Sequence, residues 1–297
     1  MSRWLPIVVA ILLFFGTGAY IQTKIRAVYA THPDFNTALA AGWLANSLID
    51  GGTVNKFGFN GDVDTTEESI WDADDLPSGG AGPGRCFANI GTTAADMYVS
   101  SDDAADATLG ISIEVLDASW DVSTVTMNLG AATGGTGTLF TQIGTATMLR
   151  VNRAFATGDD FTGNIYIHTD TSDTGPDGIP DAAGDIVAVI TAGENQTLQA
   201  CYTCPNGMDC LLTQFCIGNL SQAAASQDVT FRLRRSVEGA ASRTTEIMTL
   251  ADSVTACVRH NPPIVFDEKT DIELTADAAG ASQGTSGTFD ILLLPEL

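Results

Sequence analysis

Hydrophobic and polar residues alternate over short segments of this chain, which is the pattern of half-buried β-strands. In Gly110–Leu116 the side chains of Ile111, Ile113 and Val115 fall on one face, and Val229–Arg235 alternates in the same way. Clusters of Gly, Asp, Ser and Thr separate such segments. The pattern predicts an all-β protein built from antiparallel β-sandwiches, immunoglobulin-like or jelly-roll-like. Further strand-length segments are Cys86–Ile90, Met97–Ser100, Val122–Leu129, Leu139–Ile143, Met148–Arg153, Asn164–His168, Thr244–Leu250, Asp271–Thr275 and Phe289–Leu294.

The stretch Ile190–Ile217 combines two apolar runs with a turn sequence between them. Gln196–Thr203 and Cys210–Ile217 are each about one strand long, and the Pro-Asn-Gly sequence at 205–207 favours a reversal of the chain. We predict a β-hairpin here. A lone hairpin needs other strands to cover its apolar faces, so this one would be the framework of a larger C-terminal domain.

Changes of pattern divide the chain into four parts. Residues 1–30 are largely apolar, and residues 31–54 contain one short amphipathic helix, Phe35–Leu48, before a Gly-Gly stop. Residues 55–185 and 186–297 are predicted to be an N-terminal and a C-terminal β-sandwich domain.

Two segments are predicted to be irregular. Residues 55–75 mix aromatic residues with carboxylates without a clear period, which is typical of an ordered loop. His260 lies in an Arg-His-Asn-Pro-Pro sequence that favours a turn between strands.

The N-terminal segment has the pattern of a targeting sequence. Arg3 precedes Leu5–Ile21, an uncharged apolar run of 17 residues, and Val28 and Ala30 stand at a plausible cleavage position. The run is shorter than the roughly 20 residues of a typical span, yet two basic residues behind it also suit a membrane anchor. A cleaved signal, a retained anchor and a buried segment therefore all stay open.

The charge balance argues against a nucleic-acid partner. The chain has 13 Lys and Arg against 36 Asp and Glu, a formal net charge of −23, and its basic residues cluster only at Arg232, Arg234 and Arg235. A phosphate backbone is bound by clustered Lys and Arg. The acidic balance is typical of a solvated surface or of calcium-binding loops.

The loop Asp170–Asp185 is a candidate calcium site. Asp173, Asp177, Asp181 and Asp185 surround glycine-containing turns, and calcium takes about six to eight oxygen ligands of this kind. A Gly-Pro pair interrupts the alternation of ligands, however, and no closing Glu follows. The alternative is a solvated turn without metal, and no other cofactor is expected.

The six cysteines leave three possibilities open. Cys204 and Cys210 would lie at the two ends of the predicted hairpin turn, where a disulfide can form. Free buried thiols are a second possibility. Zinc is a third, although a structural zinc site normally brings two closely spaced cysteine pairs and only Cys201 and Cys204 are close here.

The sequence offers little for catalysis. It has three histidines, and it lacks a Gly-x-Ser-x-Gly elbow, a phosphate-binding glycine loop and a His-Glu-x-x-His helix. We therefore predict that the protein is not an enzyme. Trp43, Trp71 and Trp120 could supply the aromatic platform of a carbohydrate-binding module, but each lies in an apolar context that favours the core.

Four stretches follow one another in an order that matches a known family. They are Val54–Asn60 with the nearby Asp62-Val-Asp-Thr-Thr and Ile70-Trp-Asp; Leu149–Ala154; Ala192–Ala200 with Tyr202-Thr203 and Pro205; and Phe266–Leu274. Together they resemble a poorly characterised family of virion structural proteins of marine tailed phages, and the resemblance runs from residue 54 to the C-terminus.

The resemblance implies a β-rich accessory component of a virion that decorates the phage head or projects from it like a fibre. It also implies homo-oligomers, expected as trimers, docking on a capsid protein, and no catalytic residues. The apolar N-terminus, the cysteines near the hairpin and the loop 173–185 depart from the family pattern. The first departure favours an alternative, namely a secreted or membrane-anchored protein of the cell surface that docks on a surface partner.

Overall fold

A computed structural model describes residues 52–72, 84–87, 93–220, 227–238, 240–280 and 282–295. The predicted targeting segment 1–30 and the helix Phe35–Leu48 lie outside the described residues. Within the described ranges, no helix is long and apolar enough to cross a membrane.

Nearly all regular structure in these ranges is β, and every strand pair is antiparallel, which confirms the predicted fold class. Two short 3₁₀ helices, Ala104–Asp106 and Ala183–Asp185, accompany the strands. The strands are β1 (Gly52–Val63), β2 (Glu68–Ser69), β3 (Tyr98–Ser101), β4 (Gly110–Asp117), β5 (Val122–Asn128), β6 (Thr141–Gln142), β7 (Met148–Ala156), β8 (Ile165–His168), β9 (Ile186–Ile190), β10 (Cys201–Thr203), β11 (Met208–Leu220), β12 (Val229–Val237), β13 (Arg243–Leu250), β14 (Thr255–Phe266), β15 (Thr270–Ala278) and β16 (Gln283–Pro295).

Two sheets form the larger, C-terminal sandwich. One has the order β1-β16-β11-β14, and the other has the order β10-β15-β12-β13 with β2 added beside β15. Both sheets contribute to one apolar core. Strand β12 shows how the sequence produces this layer, because its buried Phe231 and Leu233 alternate with half-buried Arg232 and Arg234.

Two smaller sheets form the N-terminal sandwich. Their orders are β6-β3-β8-β9 and β5-β4-β7. Their shared core contains Val99 and Ile167 from the first sheet and Ile113 and Val151 from the second. The alternation predicted for β4 places Ile113 in this core, as the sequence indicated.

The boundaries of the two sandwiches differ from the predicted division of the chain into 55–185 and 186–297. Strand β1 pairs with β16 and β2 pairs with β15, so both belong to the C-terminal sandwich. Strand β9 pairs with β8 and belongs to the N-terminal sandwich. The N-terminal sandwich is therefore inserted between β2 and β10 of the other, a long-range arrangement that composition along the chain does not encode.

The predicted hairpin at Ile190–Ile217 is wrong. Strand β10 pairs with β15, whereas β11 pairs with β14 on one side and β16 on the other. Residues 204–207 therefore cross from one sheet of the sandwich to the opposite sheet. Because β11 has partners along both edges, it has no free edge for β10.

Both segments predicted to be irregular contain strand residues in the structure. Residues 55–63 belong to β1. Along this part of the strand, Lys56, Gly58 and Asn60 are the residues that alternate into the interior. Because none of these three is a large apolar residue, the segment lacks the alternation of apolar and polar residues by which a strand is predicted. His260 lies within β14, where residues 260–263 leave the register with β11.

Candidate functional site

The four calcium candidates lie in a loop whose carboxylates bind the loop's own backbone. Asp173 accepts hydrogen bonds from the N–H groups of Gly175 (3.1 Å) and Gly178 (2.9 Å). Asp181 accepts a hydrogen bond of 2.6 Å from the hydroxyl of Thr174, and Asp177 accepts one of 3.1 Å from the backbone N–H of Ile179.

The fourth candidate, Asp185, lies in the 3₁₀ helix at the end of this loop. No group of three or more potential metal ligands converges anywhere in the described residues. In this loop Asp173, Asp177 and Asp181 are therefore hydrogen-bonded to the loop's own turns.

His168 is buried beneath this loop. Its Nε2 lies 3.2 Å from the Ser100 hydroxyl, and its Nδ1 lies 3.1 Å from the backbone oxygen of Asp170. Burial lowers the pKa of His168 to about 4, so the imidazole is neutral at physiological pH. Ser100 donates its own hydrogen bond of 2.7 Å to the Gly178 oxygen. Both side chains are sealed from solvent, and the pair fastens the acidic loop to β3 and β8.

Arg150 on β7 crosses from the N-terminal sandwich and binds Asp271 on β15. Its Nε and Nη2 donate to the two carboxylate oxygens over 3.0 and 2.9 Å, and both side chains are buried. Nη1 donates to the backbone oxygen of Leu149 at 2.8 Å, while Thr203 donates to Asp271 at 2.6 Å. The guanidinium also lies 5.0 Å from the Trp120 ring centroid. Because a bidentate ion pair requires a fixed geometry, the Arg150–Asp271 pair fixes the orientation of the N-terminal sandwich relative to the C-terminal sandwich.

We call the contact between the two sandwiches the junction. Lys56 on β1 of the C-terminal sandwich reaches across it to β7 of the N-terminal sandwich. It is buried, and its Nζ donates to the backbone oxygen of Asn152 on β7. Burial lowers the pKa of Lys56 to about 7, although Glu114 and Asp72 oppose the shift. Burial also raises the pKa of Asp72 to about 7, against a hydrogen bond of 3.0 Å from the Thr191 hydroxyl.

A cavity of about 220 Å³ opens beside Lys56. Two of its polar side chains are already hydrogen-bonded: Asn55 donates to Asp290 on the neighbouring strand β16 at 2.6 Å, and the Thr197 hydroxyl accepts from the Ala154 N–H on β7 at 3.3 Å. The cavity is therefore a gap in the junction, with its polar groups turned to neighbouring strands. It is lined by Asn55, Lys56, Phe57, Arg153, Gln196 and Thr197.

The four stretches that carry the sequence resemblance meet at this junction. Lys56 of the first stretch and Gln199 of the third both donate to the backbone oxygen of Asn152 in the second. Asp271 of the fourth stretch binds Arg150 of the second. Sequence reasoning did not assign these polar residues a role. They could have been recognised in the sequence because each stretch has a charged or amide residue at a position that faces the interior.

All six cysteines are paired. Cys204 is joined to Cys210 across the step from one sheet to the other, and Cys86 is joined to Cys201. The third disulfide joins the neighbouring strands β11 and β14 through Cys216 and Cys257. The alternatives of free thiols and zinc ligands therefore do not describe these residues. Residues 86–87 form a turn, so the described part of the strand predicted at 86–90 is not a strand.

The tryptophans do not form an exposed platform in the described residues. Trp71 is 1% exposed and Trp120 is 6% exposed, and both pack in hydrophobic clusters. Trp43 lies outside the described residues. The geometry gives the carbohydrate-binding hypothesis no binding face from these side chains.

The C-terminal sandwich has one side that other strands leave uncovered, and we call β13 and β14 its open side. They are the last strands of the two sheets, and they follow one another in the chain. Most of their side chains are exposed or half-buried. Unpaired edges of this length are the part of the fold best suited to contact another protein.

Comparisons with known proteins give no family. No family model and no curated protein matches the chain. Among solved structures it is similar to one of naturally occurring empty particles, the Cowpea mosaic virus top component, with 9% identity over 69% of this chain and 88% of that chain and a TM-score of 0.20. A structure of the Gx strain of infectious bursal disease virus shows 9% identity over 82% of this chain and 72% of that chain, with a TM-score of 0.21. Overlaps this low support no conclusion about function.

Proposed function

We propose that this chain is a non-enzymatic structural protein of a virion, an accessory decoration or fibre-like component of the phage head. It acts through self-assembly, expected as trimers, and through docking on a capsid protein. The observation that carries the proposal is the junction between the sandwiches. The residues that carry the sequence resemblance tie the two sandwiches together, which supports a role based on the shape of the molecule.

The chemistry of the described residues supports a role based on shape. Buried polar groups such as Arg150, Lys56 and His168 bind other parts of the chain. Three disulfides add covalent ties. Meanwhile the open side leaves two sheet edges available for contacts with other proteins.

The test is the composition of purified virus particles from the source culture. Quantitative mass spectrometry is expected to find the chain at a constant ratio to the capsid protein, and gold-labelled antibody is expected to mark the head. A chain that is absent from purified particles and recovered in the cell envelope would contradict the proposal.

A second candidate is an exported or membrane-tethered surface protein of a cell. The apolar run Leu5–Ile21 favours it, and so do the three disulfides, because disulfides persist in oxidising compartments. N-terminal sequencing of the native protein separates the candidates. A mature start near Thr31 indicates export, whereas a retained Met1 counts against a cleaved signal.

A further inference from the structure

Strand β13 is an uncovered edge of its sheet. The order β10-β15-β12-β13 ends with it, and residues 243–249 are exposed or half-buried. The neighbouring edge, β14, loses its register at residues 260–263, which include Pro262 and Pro263. Proline lacks the N–H that an added strand needs, and bulges protect an edge. Strand β13 contains no proline, so it is the better of the two edges for accepting another strand.

Most of the exposed large apolar side chains of the described residues belong to the segment from β11 to β14. Seven large apolar side chains are exposed in the described ranges, and five of them lie on or between strands β11 to β14. Ile247 on β13 is the most exposed, at 63%. The five are Leu220, Val237, Ile247, Val254 and Val265.

The same edge carries two cations without a counter-ion. Arg243 on β13 lies directly opposite Arg235 on β12, and both are exposed. No ion pair among the described residues includes either arginine. Like charges directly opposite one another destabilise a strand pair. This pair of arginines therefore favours contact with a carboxylate of another molecule, and a second copy of this chain, with a net charge of −23, has many.

A carboxylate is available on β13 itself. The register of β12 with β13 shifts between Leu233 and Arg234 and leaves out Thr245, so Arg243 and Glu246 fall on the same face of the strand despite their odd spacing. The Glu246 side chain is 32% exposed. Within its own chain it lies 3.6 Å from His260 Nδ1, which contributes charge only when protonated.

We propose that β13 pairs antiparallel with β13 of a second copy about a twofold axis between Thr244 and Thr245. In this register Arg243 of each copy lies opposite Glu246 of the other, so the contact is formed twice. Each added pair places a carboxylate beside the uncompensated arginines, and the joined strands bury part of Ile247. The inference rests on the proposed function only in requiring self-association. The twofold contact joins copies in pairs and is separate from the contacts that would form the expected trimer.

The test is a charge exchange in the full chain, measured by sedimentation velocity over a range of concentrations. Arg243→Glu and Glu246→Arg each place like charges opposite one another twice per contact, and each is expected to weaken association about tenfold or more. The double variant Arg243→Glu/Glu246→Arg restores opposite charges and is expected to restore association. Arg259→Glu on β14 makes the same charge change at the neighbouring edge and is expected to leave association unchanged.

Melting temperatures establish that each variant is folded, and Glu246→Gln replaces Glu246→Arg if the latter unfolds the chain. Single variants that associate like the wild type, or a folded double variant that does not recover, overturn the β13 contact. An oligomer that is indifferent to all these changes, yet is present in purified particles, leaves the proposed virion function standing. A chain that associates as described but is absent from particles refutes that function alone.

Discussion

Lys56 offers a sharp test of the junction because its ammonium group is buried between the two sandwiches. We consider Lys56→Met, which keeps the length and apolar stem of the side chain and removes the charge. The variant also loses the hydrogen bond to the Asn152 oxygen, but Gln199 still donates to that oxygen over 3.2 Å. The main consequence is therefore a change in how stability depends on pH.

The direction follows from proton binding. Burial lowers the pKa of Lys56 from 10.5 to about 7, so between these values the unfolded chain binds a proton that the folded chain lacks. Stability therefore rises with pH through this window, and below pH 7 the cost of the buried charge is constant. The full slope is about 1.4 kcal/mol for each pH unit, but it is only half of that at pH 7, so the gain from pH 7 to pH 9 is about 2 kcal/mol. Asp72, whose pKa is raised from 3.8 to about 7, changes stability below this window, where stability falls as pH rises.

The assay is urea unfolding at pH 7 and pH 9, followed by the fluorescence of the buried tryptophans. From pH 7 to pH 9 the wild type is expected to gain about 2 kcal/mol of unfolding free energy relative to Lys56→Met. Gln199→Met is the matched control, because it removes a neutral donor to the same oxygen. It is expected to cost about 1 to 3 kcal/mol at both pH values. If Lys56→Met keeps the pH dependence of the wild type, the buried ammonium does not cause it and the argument fails.

Three further predictions concern the ties that hold the fold. Arg150→Met leaves its carboxylate partner buried and unpaired, and is expected to lower the unfolding free energy by about 3 to 5 kcal/mol in urea; an unchanged midpoint would contradict this. Gly58→Ala introduces a Cβ that overlaps the backbone of an adjacent segment, so its melting temperature should fall steeply, while Gly158→Ala, which meets nothing within 4 Å, should melt like the wild type. The double variant Cys86→Ser/Cys201→Ser is expected to lose about 2 to 5 kcal/mol without reductant. Equal stability of that variant and the oxidised wild type would refute the contribution of this disulfide.

The strands that the sequence located best are those with one apolar row and one polar row. Strands β4 and β12 were found because Ile113 and Phe231 belong to clear alternations of period two. Strand β1 was missed because its buried row holds Lys56, Gly58 and Asn60, which no hydrophobic pattern marks. These residues are buried because other strands supply their partners, and that information lies far away in the chain.

Local alternation by itself determined the class of this protein, because a period of two depends only on neighbouring residues and the pleat of a strand. It also located most strands, while the composition gave the acidic balance and the Pro-Asn-Gly sequence gave the turn between Cys204 and Cys210. Only the tertiary structure decided which strands pair, since β1 finds β16 and β11 takes two partners that leave none for β10. The junction was decided in the same way. Arg150 and Asp271 are 121 residues apart, and burying either charge is favourable only when folding brings the other to it.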